Sequence, residues 1–222
     1  MQEKVTLLTS LFEGNRNEVN AGPMKNYMKG HFNFLGIKTP LRNELQKHFF
    51  EESKLLKEPF QHDFVLRLWE KDEREYQYAA LAYIAKSLKK LQKDDLELME
   101  HLITTKSWWD TVDMLAAHPV GMIAKEFPEV IESSIESWAS GDHLWLRRTA
   151  ILFQLRYKDE TDEKLLYAFI RQNADSKEFF IRKAIGWALR EYSKTNPSSV
   201  KQFIQNNRLA ALSVREGSKY ID

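Results

Sequence analysis

The stretch Phe180-Ile-Arg-Lys-Ala-Ile-Gly-Trp187 has the apolar spacing of an amphipathic helix, and two earlier segments resemble it. Glu75-Tyr-Gln-Tyr-Ala-Ala-Leu-Ala82 and Leu146-Arg-Arg-Thr-Ala-Ile-Leu-Phe153 align with it on a central alanine, namely Ala79, Ala150 and Ala184. The separations are 71 and 34 residues, about two periods and one period of roughly 35 residues. Repeats of this length are typical of stacked helical pairs of the HEAT or armadillo kind, with the small residue at the close helix contact.

The rest of the chain also reads as helices with short connections. Thr39-Pro40 and Asn196-Pro197 are typical helix starts, and Ser107 with Asp110 resembles a capping box. Glycine (8) and proline (6) are too scarce for an all-β fold of 222 residues. We therefore predict an all-α protein of about twelve helices. It is an α-solenoid (superhelix) of about six HEAT-like antiparallel helix pairs with a concave face, and residues 1–222 form a single domain.

Composition excludes several classes of function. The chain has no cysteine, no glycine-rich nucleotide-binding loop, and no two of its six histidines four residues apart. We expect no metal and no cofactor. No apolar run is long enough for a membrane span, and the first residues lack a secretory signal, so we expect a cytoplasmic protein. Monomeric action is the simpler expectation for its oligomeric state.

The charge is unevenly distributed. Residues 1–140 contain 18 Lys and Arg against 22 Asp and Glu, whereas residues 141–222 contain 15 against 10. The C-terminal third is therefore a candidate for binding an anionic partner. Solvated basic helix faces would give the same count, and charge alone does not decide between the two.

One basic stripe contains a tryptophan. In the helix expected over residues 178–195, Ile181, Ala184, Ile185, Ala188, Leu189 and Tyr192 form the buried face. Lys183, Trp187, Arg190 and Lys194 recur on another face of the same helix. A tryptophan covered by lysine and arginine stems explains this pattern, and so does an aromatic contact flanked by phosphate-binding cations.

A second candidate site lies in Lys106-Ser-Trp-Trp-Asp-Thr-Val-Asp113. Trp109 and Asp113 are four residues apart and adjacent on any helix. An aromatic plane beside a carboxylate could hold a sugar and stabilise positive charge on it. A surface aspartate beside a half-buried tryptophan is the alternative. One residue of Arg147-Arg148 is expected to form a structural ion pair, and the periodicity does not decide which.

At these residues the sequence resembles the AlkD-type bacterial DNA alkylation-repair glycosylases, which are built from HEAT-like repeats. The resemblance covers nearly the whole chain. It is closest in residues 27–40, 105–113, 145–155 and 176–192. One departure is Asn43, which stands where the family tends to have a second basic residue beside Arg42.

The resemblance implies hydrolysis of the N-glycosidic bond of N3- and N7-alkylated purines in double-stranded DNA, without base flipping. No lysine stands at the matched motif positions, so we expect no strand cleavage. The resemblance also implies Asp113, Trp109 and Trp187 as catalytic residues. We expect the carboxyl of Asp113 to have its ordinary pKa and therefore to be charged at neutral pH. The resemblance further implies that Arg148 anchors a phosphate. We expect the DNA contacts to come from Tyr27, Lys38, Thr39, Arg42, Lys106, Arg147, Arg148, Lys183, Arg190 and Lys194.

Two other functions fit the same fold. A non-catalytic protein that binds branched or damaged DNA would share the basic surface and lack base release. A protein–protein scaffold, the commoner use of HEAT solenoids, would show no salt-dependent DNA binding.

Overall fold

A computed structural model describes residues 1–221 of the chain. Within that range the regular secondary structure is helical, and the one β-type feature is an isolated bridge between Asn33 and Glu73. The all-α prediction is confirmed. The chain divides into two compact units, of which the first is Met1–Leu91 and the second begins at Gln92. The assignment of residues 1–222 to one repeat domain stays a prediction.

The first unit contains five α-helices and two short 3₁₀ turns, Leu55–Lys57 and Leu88–Lys90. The helices are α1 (Gln2–Glu13), α2 (Glu18–Tyr27), α3 (Thr39–Ser53), α4 (His62–Glu70) and α5 (Arg74–Lys86). Aromatic rings fill the core: Phe49 stacks on Phe64 at 5.6 Å, and Tyr83 meets Phe64 edge-on at 5.2 Å.

A buried carboxylate fixes the loop before α3. Glu75 is fully buried and accepts backbone N–H bonds from Leu35 at 3.0 Å, Gly36 at 2.9 Å and Ile37 at 3.0 Å. These charge-assisted bonds offset the desolvation of the carboxylate. Gly36 has a left-handed φ of +86°, and an added Cβ would lie 2.0 Å from the carbonyl oxygen of Asn17. The loop therefore has one well-defined conformation.

The second unit contains the remaining nine α-helices of residues 1–221, with a 3₁₀ turn at Lys158–Glu160 and π-helical segments at Ala116–Val120 and Ile131–Ile135. The helices are α6 (Asp95–Thr104), α7 (Trp109–Leu115), α8 (Gly121–Glu126), α9 (Glu136–Ser140), α10 (Leu144–Leu152), α11 (Glu163–Asn173), α12 (Phe179–Ser193), α13 (Pro197–Asn206) and α14 (Ala211–Gly217). Residues 1–221 contain more α-helices than the predicted twelve. Part of the excess arises because the π-helical segment Ala116–Val120 divides one continuous helical run into α7 and α8.

The core of the second unit is built around α12. Five of the six residues predicted for its buried face are buried, and Tyr192 is partly buried against the same cluster. Ala150 and Ala184 are buried on α10 and α12, two helices that pack together, and Ala79 is buried on α5 of the first unit. No helix within residues 1–221 has both the length and the apolar character that a membrane span requires.

Helix starts were predicted with mixed success. Asn196 caps α13 by accepting a bond from the backbone N–H of Ser199 at 3.2 Å, as expected. The prediction for Thr39 is wrong by one position, because Lys38 is the N-cap of α3. Ser107 is not a cap: Trp108 is the N-cap of α7, and the hydroxyl of Ser107 donates instead to the carbonyl of Ile103 on α6 at 2.6 Å.

Glycine allows α12 and α14 to approach closely. An added Cβ at Gly186 would lie 2.6 Å from the Cβ of Glu216. We predict that Gly186→Ala destabilises the protein by about 1–3 kcal/mol through overpacking. Gly22→Ala on α2 is the control, because nothing lies within 4 Å of an added Cβ there, and it should stabilise by about 0.4–1 kcal/mol. Urea unfolding measures both, and equal effects would contradict the close helix contact.

Candidate nucleic-acid site

Helix α7 places the Trp109 and Asp113 side chains. Its N-cap is Trp108, an extended residue whose ring packs edge-on against Trp145 at 5.8 Å and Phe180 at 5.1 Å. Trp145 and Phe180 are themselves 4.9 Å apart. This aromatic cluster fixes the start of α7 against α10 and α12, so that the next residue, Trp109, has a defined position.

Asp113 forms a bidentate ion pair with Arg148 of α10. The guanidinium donates from Nε to one carboxylate oxygen at 2.7 Å and from Nη2 to the other at 2.9 Å. Its Nη1 donates to the backbone carbonyl of Phe180. The Arg148 side chain is 5 % exposed and that of Asp113 is 15 % exposed. The open question about Arg147-Arg148 is thereby answered: Arg148 makes the ion pair.

The carboxyl of Asp113 does not have its ordinary pKa. Burial raises the pKa, and the hydrogen bonds and positive charge of Arg148 lower it again without cancelling the effect. The expectation of an unshifted pKa is therefore wrong, because the sequence does not show that α7 is packed between α6 and α10. Arg148 is the group that opposes the rise in the pKa of this buried carboxyl.

A cavity of about 430 Å³ opens beside the ion pair, and we call it the tryptophan cavity. Asp113 does not line this cavity itself, but its ion-pair partner Arg148 does. Aromatic and cationic side chains form most of the lining, which consists of Trp109, Arg148, Phe179, Phe180, Lys183, Trp187, Arg190, Glu216 and Lys219. Aromatic planes with cations are the combination that binds bases, sugars and phosphates.

Trp187 lies between the hydrophobic core and the tryptophan cavity. Its side chain is half-buried and packs against the hydrophobic cluster of α12, and it also lines the tryptophan cavity. Lys183 and Arg190 line the same cavity. Lys194 does not: it bonds Glu191 at 2.6 Å and borders a separate cavity of about 210 Å³.

Glu216 was missed by the sequence analysis. It is 8 % exposed and accepts from Lys183 at 3.2 Å, Arg190 at 3.2 Å and Lys219 at 3.0 Å. Lys219 and Lys183 lower the pKa of Glu216 to about 2 through hydrogen bonds and positive charge. We call Lys183, Arg190 and Lys219 the basic rim. The i,i+3 spacing of Glu216 and Lys219 was visible in the sequence, but the α12 partners were not.

Four predicted DNA contacts lie in the first unit. Tyr27 is 72 % exposed at the end of α2, and Lys38 is the N-cap of α3. Arg42 lies 4.5 Å above the ring of Tyr78 and donates to the hydroxyl of Thr39 at 3.4 Å. Burial lowers the pKa of Arg42. Asn43 is exposed beside it.

Besides Lys194, two predicted contacts in the second unit do not line the tryptophan cavity. Lys106 is half-buried with a left-handed φ of +48°. Arg147 is half-buried, and its Nε has no hydrogen-bond partner among residues 1–221. Over the same residues no group of three or more His, Asp and Glu side chains could hold a metal ion.

Comparisons with known proteins identify the family of the chain. Residues 8–221 match the family of DNA alkylation repair enzymes. The chain belongs to that family, whose role is the repair of alkylated DNA, and DNA is therefore its partner. No functionally curated protein is significantly similar to the chain.

Two examples of similar solved structures follow. The first is a predicted DNA alkylation repair enzyme from Enterococcus faecalis, 33 % identical, with a TM-score of 0.84 over 92 % of this chain and 96 % of that one. It confirms the α-solenoid class. The second is smu.31 from Streptococcus mutans UA159, 21 % identical, with a TM-score of 0.60 over 82 % of this chain and 98 % of that one, and it supports the fold alone.

Removing the Arg148 guanidinium should leave the buried carboxylate of Asp113 without its ion-pair partner. We predict that Arg148→Gln lowers the free energy of unfolding by about 3–5 kcal/mol at pH 8. Burial raises the pKa of Asp113, and the variant loses the Arg148 contacts that lower it. The unpaired carboxylate therefore opposes folding while it is ionised and stops doing so once it is protonated. The loss should therefore shrink towards pH 5.

Urea titrations at the two pH values measure this. Arg67→Gln is the control, since Arg67 pairs with Asp63 on the exposed face of α4 and its loss should cost far less than the loss of Arg148. An equal cost for both variants would show that the Asp113–Arg148 pair contributes no more than a surface pair.

Proposed function

We propose that the protein is a monofunctional DNA glycosylase that hydrolyses the N-glycosidic bond of N3- and N7-alkylated purines in duplex DNA. The supporting observation is a carboxylate, Asp113, held by Arg148 beside a cavity lined by two tryptophans and several cations. Membership in the DNA alkylation repair family makes alkylated DNA the substrate to test.

Hydrolysis of an alkylated nucleotide requires few catalytic groups from the protein. Alkylation at N3 or N7 makes the purine cationic, so that it leaves as a neutral base and takes the electron pair of the broken bond. No general acid is then required. The sugar becomes an oxocarbenium ion, as in other glycoside hydrolyses, and water adds at C1′ while its proton passes to solvent or to a nearby base.

Asp113 is the group suited to stabilise that sugar cation. Each of its oxygens accepts one bond from Arg148 and retains a second acceptor position for water. The side chain is 15 % exposed, so the surroundings are poor in solvent and the charge acts strongly. Arg148 acts as a positioning residue for Asp113, and its role as a phosphate anchor remains a second proposal.

Trp109 and Trp187 would pack against the deoxyribose and exclude water. Both line the tryptophan cavity, whose open form suits a sugar and backbone that stay in the duplex. This agrees with excision without base flipping, which is otherwise the usual strategy for chemistry on a base.

The first unit would contribute phosphate contacts of its own. Lys38, Thr39 and Arg42 lie in the first turn of α3, where backbone N–H groups and the helix dipole favour anions. Exposed Tyr27 would meet the sugar-phosphate backbone. Asn43 removes one cation from this turn, which weakens it without affecting the chemistry.

The first test is release of 7-methylguanine from methylated duplex DNA. Asp113→Asn should lower the single-turnover rate by about 100-fold or more, because the sugar cation loses its counter-charge, while DNA affinity changes little. Asp110→Asn, on the same helix, removes the same charge and should retain release. Near-normal release by Asp113→Asn would exclude this residue from the chemistry.

If the wild type binds DNA and releases no base, the non-catalytic alternative is correct. Affinity for a four-way junction against a linear duplex then identifies the preferred substrate. A protein that does not bind DNA at all would contradict both DNA functions.

We predict no covalent enzyme–DNA adduct. The tryptophan cavity contains Lys183 and Lys219, but both ammonium groups are ion-paired with Glu216 and lack the lone pair that an attack on C1′ needs. Borohydride reduction during turnover should therefore trap nothing detectable on a denaturing gel. A trapped adduct that disappears in Lys183→Gln or Lys219→Gln would show a lyase mechanism instead.

A further inference from the structure

Helix α14 and the residues that follow it complete one wall of the tryptophan cavity. Glu216 and Lys219 line the cavity together with Lys183 and Arg190 of α12. The two helices are held in contact at Gly186, where an added Cβ would meet Glu216, and at Gly217, where it would lie 3.0 Å from the Cβ of Leu189. This close helix contact fixes the distance between the cations of α12 and the charged groups of Glu216 and Lys219.

The charges around Glu216 do not balance. One carboxylate bonds the three cations of the basic rim, and Arg215 lies at 3.8 Å, so the cluster has a net charge of +3. An ammonium group has three hydrogen-bond donors, and a guanidinium group has five. Each cation of the basic rim either donates one hydrogen bond to Glu216 or lies within ion-pair distance of it. Donors remain for a second anion, and the rim side chains are 26–48 % exposed to receive it.

We propose that Glu216 is a positioning residue that gathers Lys183, Arg190 and Lys219 into a subsite for one phosphodiester of the DNA backbone. This rests on the proposed function, to which it adds a phosphate contact and its organiser. Without the central carboxylate the three cations would repel one another and disperse into solvent. With it they hold a fixed cationic surface beside Trp187.

A different role for Glu216 gives the opposite result. A carboxylate that merely occupies the place of a phosphate would compete with DNA, and its removal would strengthen binding. A positioning carboxylate organises the rim, so its removal weakens the phosphate contact although the net charge becomes more positive. The sign of the change therefore separates the two roles.

The experiment measures affinity for a short undamaged duplex by fluorescence anisotropy as a function of salt. Each neutralised phosphate contributes a slope of about 0.9 in log K against log salt concentration. We expect Lys219→Gln and Lys183→Gln each to reduce the magnitude of this slope by about 0.9, the contribution of one phosphate contact. Lys164→Gln, at an exposed position of α11 outside the cavity, should leave it unchanged.

Glu216→Gln should reduce the slope as well. Glu191→Gln is its matched control: it lies on α12, makes the same charge change and breaks an ion pair with Lys194 away from the tryptophan cavity. Tighter binding with a steeper slope for Glu216→Gln, as charge alone predicts, would overturn the positioning role. The two exposed rim lysines keep the subsite testable if Glu216→Gln fails to fold.

The outcomes separate this subsite from the proposed function. Rim variants that bind like wild type, in a protein that does release 7-methylguanine, would overturn the subsite and leave the glycosylase. Rim variants with reduced slopes, in a protein that releases no base, would support the subsite and overturn the glycosylase. A wild type that does not bind the duplex would contradict both.

Discussion

The buried ion pair between Asp113 and Arg148 is the interaction on which the candidate site depends. It joins α7 to α10, and through the carbonyl of Phe180 it also joins α12. Desolvation makes such a pair costly, so it persists only where both carboxylate oxygens and the guanidinium are well bonded. The same geometry places Trp109, one helical turn before Asp113, at the cavity wall. The ion pair, the wall and the orientation of the carboxylate are thus one structural unit.

Apolar packing supplies the rigidity that this ion pair requires. Trp108, Trp145 and Phe180 form mutual ring contacts at the junction of the three helices. The apolar face of α12 fills the core, while its opposite side presents Lys183, Trp187 and Arg190 to the cavity. One helix therefore serves the core and the site with different faces, and a change in its rotation would disturb both.

The sequence predicted what depends on local periodicity and missed what depends on tertiary packing. The buried face of α12 followed from spacing alone, and so did the adjacency of Trp109 and Asp113. The cap at Ser107 failed because its hydroxyl is already bonded to Ile103. The raised pKa of Asp113 reflects burial, which spacing does not reveal. Glu216 escaped notice because its partner Lys183 is 33 residues away.

The loop held by Glu75 has a consequence for DNA itself. Its three bonds are made to backbone N–H groups, so they survive changes in the side chains of residues 35–37, apart from the close contact at Gly36. The loop leads directly into Lys38 and the first turn of α3. If the proposed phosphate contact is made at that turn, the phosphate meets a stiff support. Any bending or groove widening needed for a fit must then come from the double helix, whose stiffness varies with base sequence and with chemical damage.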